Sequence, residues 1–406
     1  MRTNLKIAWR NLWRNKRRTL ITVASIFFGV LLSAYMTSMQ EGSYEKMVDM
    51  VVKYYSGSMQ VHHEDYWESK SINDTFEESQ ELRESILAHE EVDFVIPRLE
   101  SFALASSEEL TKGVMVVGID PDPENRLTNL KNSVRQGGYL SEGDKGLLIG
   151  EGLANYLRLE INDTLVMISQ GYHGISAAGK YPIRGIIRHA SPELNKMIVY
   201  MELENCQEFF SAYNRLTSLV VNIRDNELLA RSLKAIRAGL DSPYSVMSWQ
   251  EMSPEMVQQI ESDRAGGVIM KAVLYIVIGF GILGTIMMMI AERRREFGVM
   301  IAIGMQRYKL ATILFYETVF IGMIGALSGL VVSIPLLSFQ SQNPIPLTGQ
   351  AALVMEDYGF EPYMFFSMEP SVFWHQALTV FLITLVIALY PIYSANRMKL
   401  IDALHA

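Results

Sequence analysis

The sequence predicts a multi-pass membrane protein: four transmembrane α-helices, with a large α+β extracytoplasmic domain inserted between the first and the second. Three observations carry that reading. Four windows, 20–39, 268–290, 310–338 and 372–394, stay apolar over the roughly 20 residues that a helix rising about 1.5 Å per residue needs to cross a bilayer. A long polar stretch, 40–267, separates the first window from the second. Basic residues are also distributed unevenly: residues 1–19 hold seven Lys/Arg and 292–309 hold five, whereas the loop 339–371 holds none and carries Glu356, Asp357, Glu361 and Glu369. Because Lys and Arg collect on the cytoplasmic side, this bias places both termini and 291–309 in the cytoplasm, with 40–267 and 339–371 outside.

In chain order, residues 1–19 form a basic cytoplasmic segment. The first window exceeds the apolar core of a secretory signal, and "LLSAYMTSMQ" has no A-x-A cleavage site, so it reads as an uncleaved anchor. Within 40–267, β-branched and aliphatic runs predict strands at 57–63, 101–106, 113–119, 146–150, 163–169, 197–201 and 216–223. Helices are expected at 75–89, 151–157, 203–211 and 226–240, and turns at "GIDPDPEN", "RQGGYLSEGDKG" and "EINDT". The connecting pieces 40–53 and 249–267 lack strong breakers apart from Pro254, so spans one and two are expected to continue outward as helical stalks. The insert holds 21 Lys/Arg against 36 Asp/Glu, which leaves no electrostatic footprint for a nucleic-acid partner. The single Cys206 cannot form an internal disulfide. The tail 395–406 is cytoplasmic.

Several residue patterns point to chemistry only on paper. "GISAAGKY", Gly174 to Tyr181, imitates a phosphate-binding loop, but Tyr181 and Pro182 stand where the Mg-binding Ser/Thr and a helix are needed. His62 and His63, with Glu64 and Asp65, read as a solvated strand end, because neighbours on a strand face opposite ways and no third ligand has a suitable spacing. No catalytic residue and no metal site is assigned. Glu317, two turns into the third span, calls for a structural partner rather than a proton relay. Gly322, Gly325 and Gly329 make a small-residue face of the kind that brings helices close. Met36, Met39, Met47 and Met50 share one helical stripe, and Met252, Met256 and Met270 another. Such flexible, polarisable side chains suit acyl chains, although ordinary helix packing is the simpler reading.

Between the second and third spans lies "ERRREFGVMIAIGMQRYKL", Glu292 to Leu310. As one helix it would place Phe297, Met300, Ile301, Gly304, Met305 and Tyr308 on one face, and Val299, Ala302 and Ile303 on a second apolar patch. A short helix with two apolar sides can lie against its own spans and still offer a patch to a soluble partner.

This segment resembles the hallmark of the FtsX/MacB/Lol superfamily of ABC-transporter permeases, E-R-x-x-E-[aliphatic]-G-x-x-[K/R]-A-x-G. Glu292, Arg293, Glu296, Gly298, Ala302 and Gly304 match, while Phe297 is bulkier than the usual aliphatic residue and Ile301 replaces a basic one. "AWRNLWRNKRRTLIT" is similar to the family's amphipathic N-terminal helix and "YPIYSANRMKLIDAL" to its C-terminal ending. "VVGIDPDPE", "GGYLSEGDKGLLIGEGLANYLRLEINDTLVMI" and "YPIRGII" resemble the MacB-like outside domain, especially that of lipoprotein-releasing permeases.

The resemblance implies a bacterial inner-membrane transport subunit that is not itself an enzyme and binds no cofactor. Its 291–309 segment would be the coupling helix onto which a separate ATPase docks, through Glu292, Arg293, Glu296, Phe297, Gly298, Ala302 and Gly304. Two ATPase copies would use ATP and Mg and drive two permeases, identical or paralogous. In the lipoprotein-releasing branch, the cargo is a triacylated lipoprotein drawn from membrane lipids and handed to a periplasmic carrier, with Met36, Met39, Met47, Met252, Met256 and Met270 as candidate acyl-chain contacts. Near "SQGYHGISAAGKYP" there is no long insertion of the kind that forms a carrier-grasping hook, so the subunit without a hook, or a relative with another cargo, is expected. Alternatives are a MacB-like mechanical exporter of peptides or antibiotics, a branch that usually carries its ATPase fused ahead of the first span, and an FtsX-like scaffold that activates a cell-wall hydrolase and tends to have a much shorter first outside loop.

Overall fold

The computed structural model describes residues 2–14, 16–107, 110–225, 228–357 and 362–397. The chain divides into two units: a helical one, Met1–Glu45 with Gln259–Pro346 and Tyr363–Ala406, and an α/β one, Lys46–Gln258 with Leu347–Pro362.

Seven helices matter for the first unit: α1 (Arg2–Arg14), α2 (Lys16–Val51), α3 (Pro254–Glu292), α4 (Arg294–Ala302), α5 (Arg307–Gln342), α6 (Pro370–Ile387) and α7 (Leu389–Arg397). Among the described residues, α2, α3, α5 and the α6–α7 stretch are long and apolar enough to cross a membrane. Helices α2 and α3 run well past their apolar windows, to 36 and 39 residues. Pro254 opens α3 rather than interrupting a longer helix, since a first-turn residue has no intrahelical N–H bond to lose.

Small residues let α5 approach its neighbours. A Cβ added at Gly325 would lie 2.6 Å from Ile26 Cβ, and one at Gly329 would lie 2.8 Å from Val30 Cβ and 2.9 Å from the Phe27 carbonyl oxygen. Both glycines therefore mark the seam between α5 and α2, and Gly322 meets Thr384 of α6 in the same way, at 2.6 Å. In a bilayer, such close backbone packing replaces the hydrophobic drive that operates in water.

The second unit is built on a ten-stranded sheet: β1 (Met59–His63), β2 (Val92–Ser106), β3 (Thr111–Ile119), β4 (Val134–Gly137), β5 (Leu147–Gly150), β6 (Thr164–Gln170), β7 (Ser176–Ile187), β8 (Ile198–Glu202), β9 (Ser218–Ile223) and β10 (Tyr244–Ser248). The strand order is β10-β1-β9-β2-β3-β8-β5-β7-β4, and β6 bridges β2 and β7. Most pairs are antiparallel, whereas β3 with β8 and β5 with β7 are parallel. Near the middle of the sheet, side chains alternate between two buried clusters. Val114 and Val116 enter one and Val117 and Ile119 the other, as do Leu147 and Ile149 against Leu148. A sheet covered on both faces explains why these strands read as continuous apolar runs.

Three local expectations change, and the dismissal of the phosphate-loop imitation gains a structural reason. "DPDPEN" forms a helix, Pro121–Thr128, with Pro121 in its first turn and acids following, instead of a turn. The 75–89 helix is confined to Gln80–Leu87 and capped by the Ser79 hydroxyl, because Phe76–Glu77 pair as a short strand with Arg215–Leu216. The phosphate-loop imitation runs into β7, so no helix N-terminus follows it. His62 is buried on β1 with its ring stacked on Tyr66, and burial pushes its pKa down to about 3. Only His63 is at the partly exposed strand end.

The domain also encloses an ion pair. Arg98 of β2 and Glu124 of the Pro121–Thr128 helix are essentially inaccessible, and Arg98 donates two parallel hydrogen bonds to the carboxylate, at 2.9 and 2.7 Å. Its remaining nitrogen, Nη1, donates to the Tyr55 carbonyl at 2.6 Å, and the Tyr55 hydroxyl donates to Glu100 at 2.8 Å. Removing one partner strands a buried charge. Glu124→Ala should therefore cost about 3–5 kcal/mol, seen as a lowered melting temperature, whereas Arg98→Met with Glu124→Leu and Glu100→Gln, which also neutralises the carboxylate 3.7 Å from Arg98, should recover most of the loss. Equal damage from the single and triple variants would contradict this.

Candidate functional site

Helix α3 ends at Glu292, and the chain turns at Arg293 before α4 begins. The break falls where Arg293 leaves the helix path and turns inward. Its side chain is 4% exposed and donates from Nη1 to Glu317 Oε1 of α5 at 2.7 Å, while Glu317 is 2% exposed. Glu317 thus has the structural partner that its depth demands. Arg293 also donates from Nε to Glu296 at 3.3 Å and lies 5.0 Å from the Phe297 ring centroid.

Around this pair, α4 is fastened on one side only. Phe297 is 1% exposed and packs in a cluster with Leu12 of α1, Ile286 and Ile290 of α3, and Leu310 and Leu314 of α5. Gly298 is buried beside it, and Met300 and Ile301 add partly buried flanks. Two further ion pairs tie the segment to the chain's beginning, Arg14 with Glu296 and Arg18 with Glu292. Both are substantially exposed, so they orient the segment more than they stabilise it. Helix α1 is itself fixed by Leu12, by Trp9 edge-on to Phe320 at 5.6 Å, and by the Thr19 hydroxyl donating to the Leu12 carbonyl at 2.8 Å.

The segment is shorter than one continuous helix to Leu310. Gly304 has φ +103°, in the left-handed region that glycine tolerates, and ends α4. The Met305 N–H returns to the Met300 carbonyl and the Gly304 N–H to the Ile301 carbonyl, both at 3.0 Å, satisfying two terminal acceptors. Consequently Tyr308 belongs to α5 and is exposed rather than on the packed face. The second apolar patch does face outward: Val299 is 43% and Ile303 82% exposed, with Ala302 exposed between them.

The methionines separate by environment. Met252 ends a four-residue helix, Trp249–Met252, and is 8% exposed in the main core of the α/β unit, with Met256 packed against the same core. Met252 lies outside α3, beyond the break at Ser253, and Met256, although on α3 with Met270, is partly buried against the α/β core, so the three present no common open stripe. Met39 packs beside Leu337, Phe366 and Phe373. Met36 and Met47 are partly buried, and Met270 is 62% exposed. Elsewhere, Asp74 brings a carboxylate within 4.8 Å of His63 and Asp65, supplying the third group that sequence spacing lacks. One Asp74 oxygen accepts from Ser69 at 2.5 Å, and Asp65 is exposed while His63 and Asp74 are partly buried, which makes the trio a poor ligand set.

A MacB-like periplasmic core domain model matches residues 19–238, and an FtsX-like permease C-terminal model matches 268–400. The chain belongs to the FtsX/MacB/Lol superfamily of permeases. Its relatives include an uncharacterized ABC transporter permease of Methanocaldococcus jannaschii, 21% identical over 210 residues, half of each chain. The lipoprotein-releasing system transmembrane protein LolE of Haemophilus influenzae is 22% identical over 267 residues, 63% of each chain. The macrolide export ATP-binding/permease protein MacB of Campylobacter jejuni is 21% identical over 350 residues, 81% of this chain and 52% of its own. The matches thus span between 50% and 63% of these relatives' own length. In this permease the FtsX-like part contains α4, α5 and α3 from residue 268 onward.

Breaking the buried pair should loosen α4 specifically. Arg293→Met leaves Glu317 alone in the bundle, a loss of about 3–5 kcal/mol, and hydrogen exchange over 294–304 should accelerate by roughly 100-fold or more. Unchanged exchange in that peptide would show that the pair does not anchor the helix.

Proposed function

We propose that this permease is the membrane subunit of an ABC transporter and that Val299, Ala302 and Ile303 form the surface onto which a separate ATPase docks. The observation that carries the reading is the division of α4: one side is packed and ion-paired into the bundle, and the other leaves Val299 and Ile303 exposed among the described residues. A surface that must transmit force has to be rigidly backed and open in front. In this reading ATP and Mg are used entirely by the partner, two ATPase copies serve two permeases, identical or paralogous, and both chain termini lie in the cytoplasm of a bacterium with the α/β unit in the periplasm. Ile301, half-buried, alters the packing behind the patch rather than the patch itself.

For cargo, we favour a lipoprotein extracted from the inner membrane and passed to a soluble carrier. Similarity to LolE supports this, as do Met36 and the exposed Met270, which offer adaptable apolar contacts for acyl chains. Met252, a core residue, and Met256, packed against the same core, drop out of that role. The β6–β7 connection is a tight turn at Gly171–Ile175, which favours the subunit without a hook. The MacB relative, matching more of the chain, supports mechanical export as a second reading. Release of a triacylated lipoprotein from proteoliposomes containing the permease, its ATPase and a carrier separates the two: ATP-dependent release supports extraction, and none, with ATPase activity intact, supports export.

Ile303→Asp places a charge at the centre of the proposed interface. Copurification of the ATPase should fall by about 30-fold or more with the melting temperature unchanged, since the residue touches little of its own chain. Full retention of the ATPase would overturn the docking assignment.

A further inference from the structure

Where α2 begins and α3 ends, a cleft of about 630 Å³ opens between the two helices. Arg14, Lys16, Arg17 and Arg18 crowd its rim, and Ile21 and Met288 line its depth. Two of the four cations are matched, Arg14 by Glu296 and Arg18 by Glu292. Lys16 and Arg17 have no carboxylate partner among the described residues, although both border the same space.

The geometry points to a binding site for an anionic phospholipid, with its headgroup phosphate held by Lys16 and Arg17 and its acyl chains lying along α2 and α3. Charge sets the first half of this assignment. Two unmatched cations beside two paired ones create a local excess that a phosphate group satisfies, Arg through its planar fork and Lys as a point charge. The ammonium of a zwitterionic headgroup would be repelled by the same cluster. The apolar wall sets the second half. Ile21 is 51% and Met288 61% exposed, and Leu20, at 59%, continues the surface along α2. A free phosphate would leave that surface uncovered, whereas an acyl chain covers it. Thr22 and Thr285 also border the cleft, but their hydroxyls donate to carbonyls of their own helices, so the cations alone recognise the anion. The Arg18–Glu292 pair borders the site, which places a bound headgroup next to the residue preceding the α3–α4 break. None of this depends on an ATPase partner, so its failure and that of the docking assignment are separate results.

The test is binding of fluorescent phosphatidylglycerol to the purified full-length chain in uncharged detergent, together with thermal melts in added phosphatidylglycerol, phosphatidylcholine or inorganic phosphate. Phosphatidylglycerol should bind saturably and raise the melting temperature, while phosphatidylcholine and inorganic phosphate should not. Lys16→Gln with Arg17→Gln should weaken binding by roughly 25-fold. Lys16→Arg with Arg17→Lys should retain it, which guards against a folding effect, and Lys309→Gln, outside the cleft, should leave it unchanged. Equal effects of the two lipids, an equal effect of inorganic phosphate, or undiminished binding by the double glutamine variant would each overturn the assignment.

Discussion

The helical unit turns on one buried contact, the charge pair between Arg293 and Glu317. A carboxylate inside a membrane-spanning helix is costly unless it is paired, and an arginine at the end of the preceding span is the group that pairs it. Meeting that need pulls Arg293 inward, breaks α3 from α4 and sets the direction in which α4 leaves. Phe297 then falls into the bundle core, and Val299, Ala302 and Ile303 are left facing out. Without the pair, the segment would be an amphipathic connector with two apolar sides and no reason to prefer either.

Rigid backing recurs in both units. Gly325 and Gly329 let α5 lie against α2, so the helix that holds Glu317 is fixed to the first span. In the α/β unit, Arg98 joins a central strand to a helix and to the Tyr55 carbonyl. In both units an arginine closes a junction that apolar packing alone would leave free to slide. Buried pairs of this kind contribute geometric definition more surely than net stability.

Much of the fold is legible in the sequence because membrane spans and two-sided sheet strands are written as continuous apolar runs. What stayed hidden depends on contacts distant in sequence. Nothing in local spacing links Arg293 to a glutamate 24 residues on, or Arg14 to Glu296. The alternation of β7 is obscured by Gly179, Pro182 and Gly185, so no strand is predicted there. Pro121 and Pro123 suggest a turn although the first sits at a permitted helix position. Met252 falls out of its predicted stripe because helical projection assumes an unbroken helix and the chain breaks at Ser253, while Met256 and Met270 do share α3. At the candidate site, the family motif identifies the segment but does not say which of its two apolar faces is free.

That division of faces is the centre of the account, and site-specific photocrosslinking in native membranes tests it most directly. With a photoreactive phenylalanine analogue at position 303, the account predicts an adduct with a separate ATPase polypeptide, and with the same group at position 300, only internal crosslinks. An ATPase adduct from position 300 but not from 303 would contradict it.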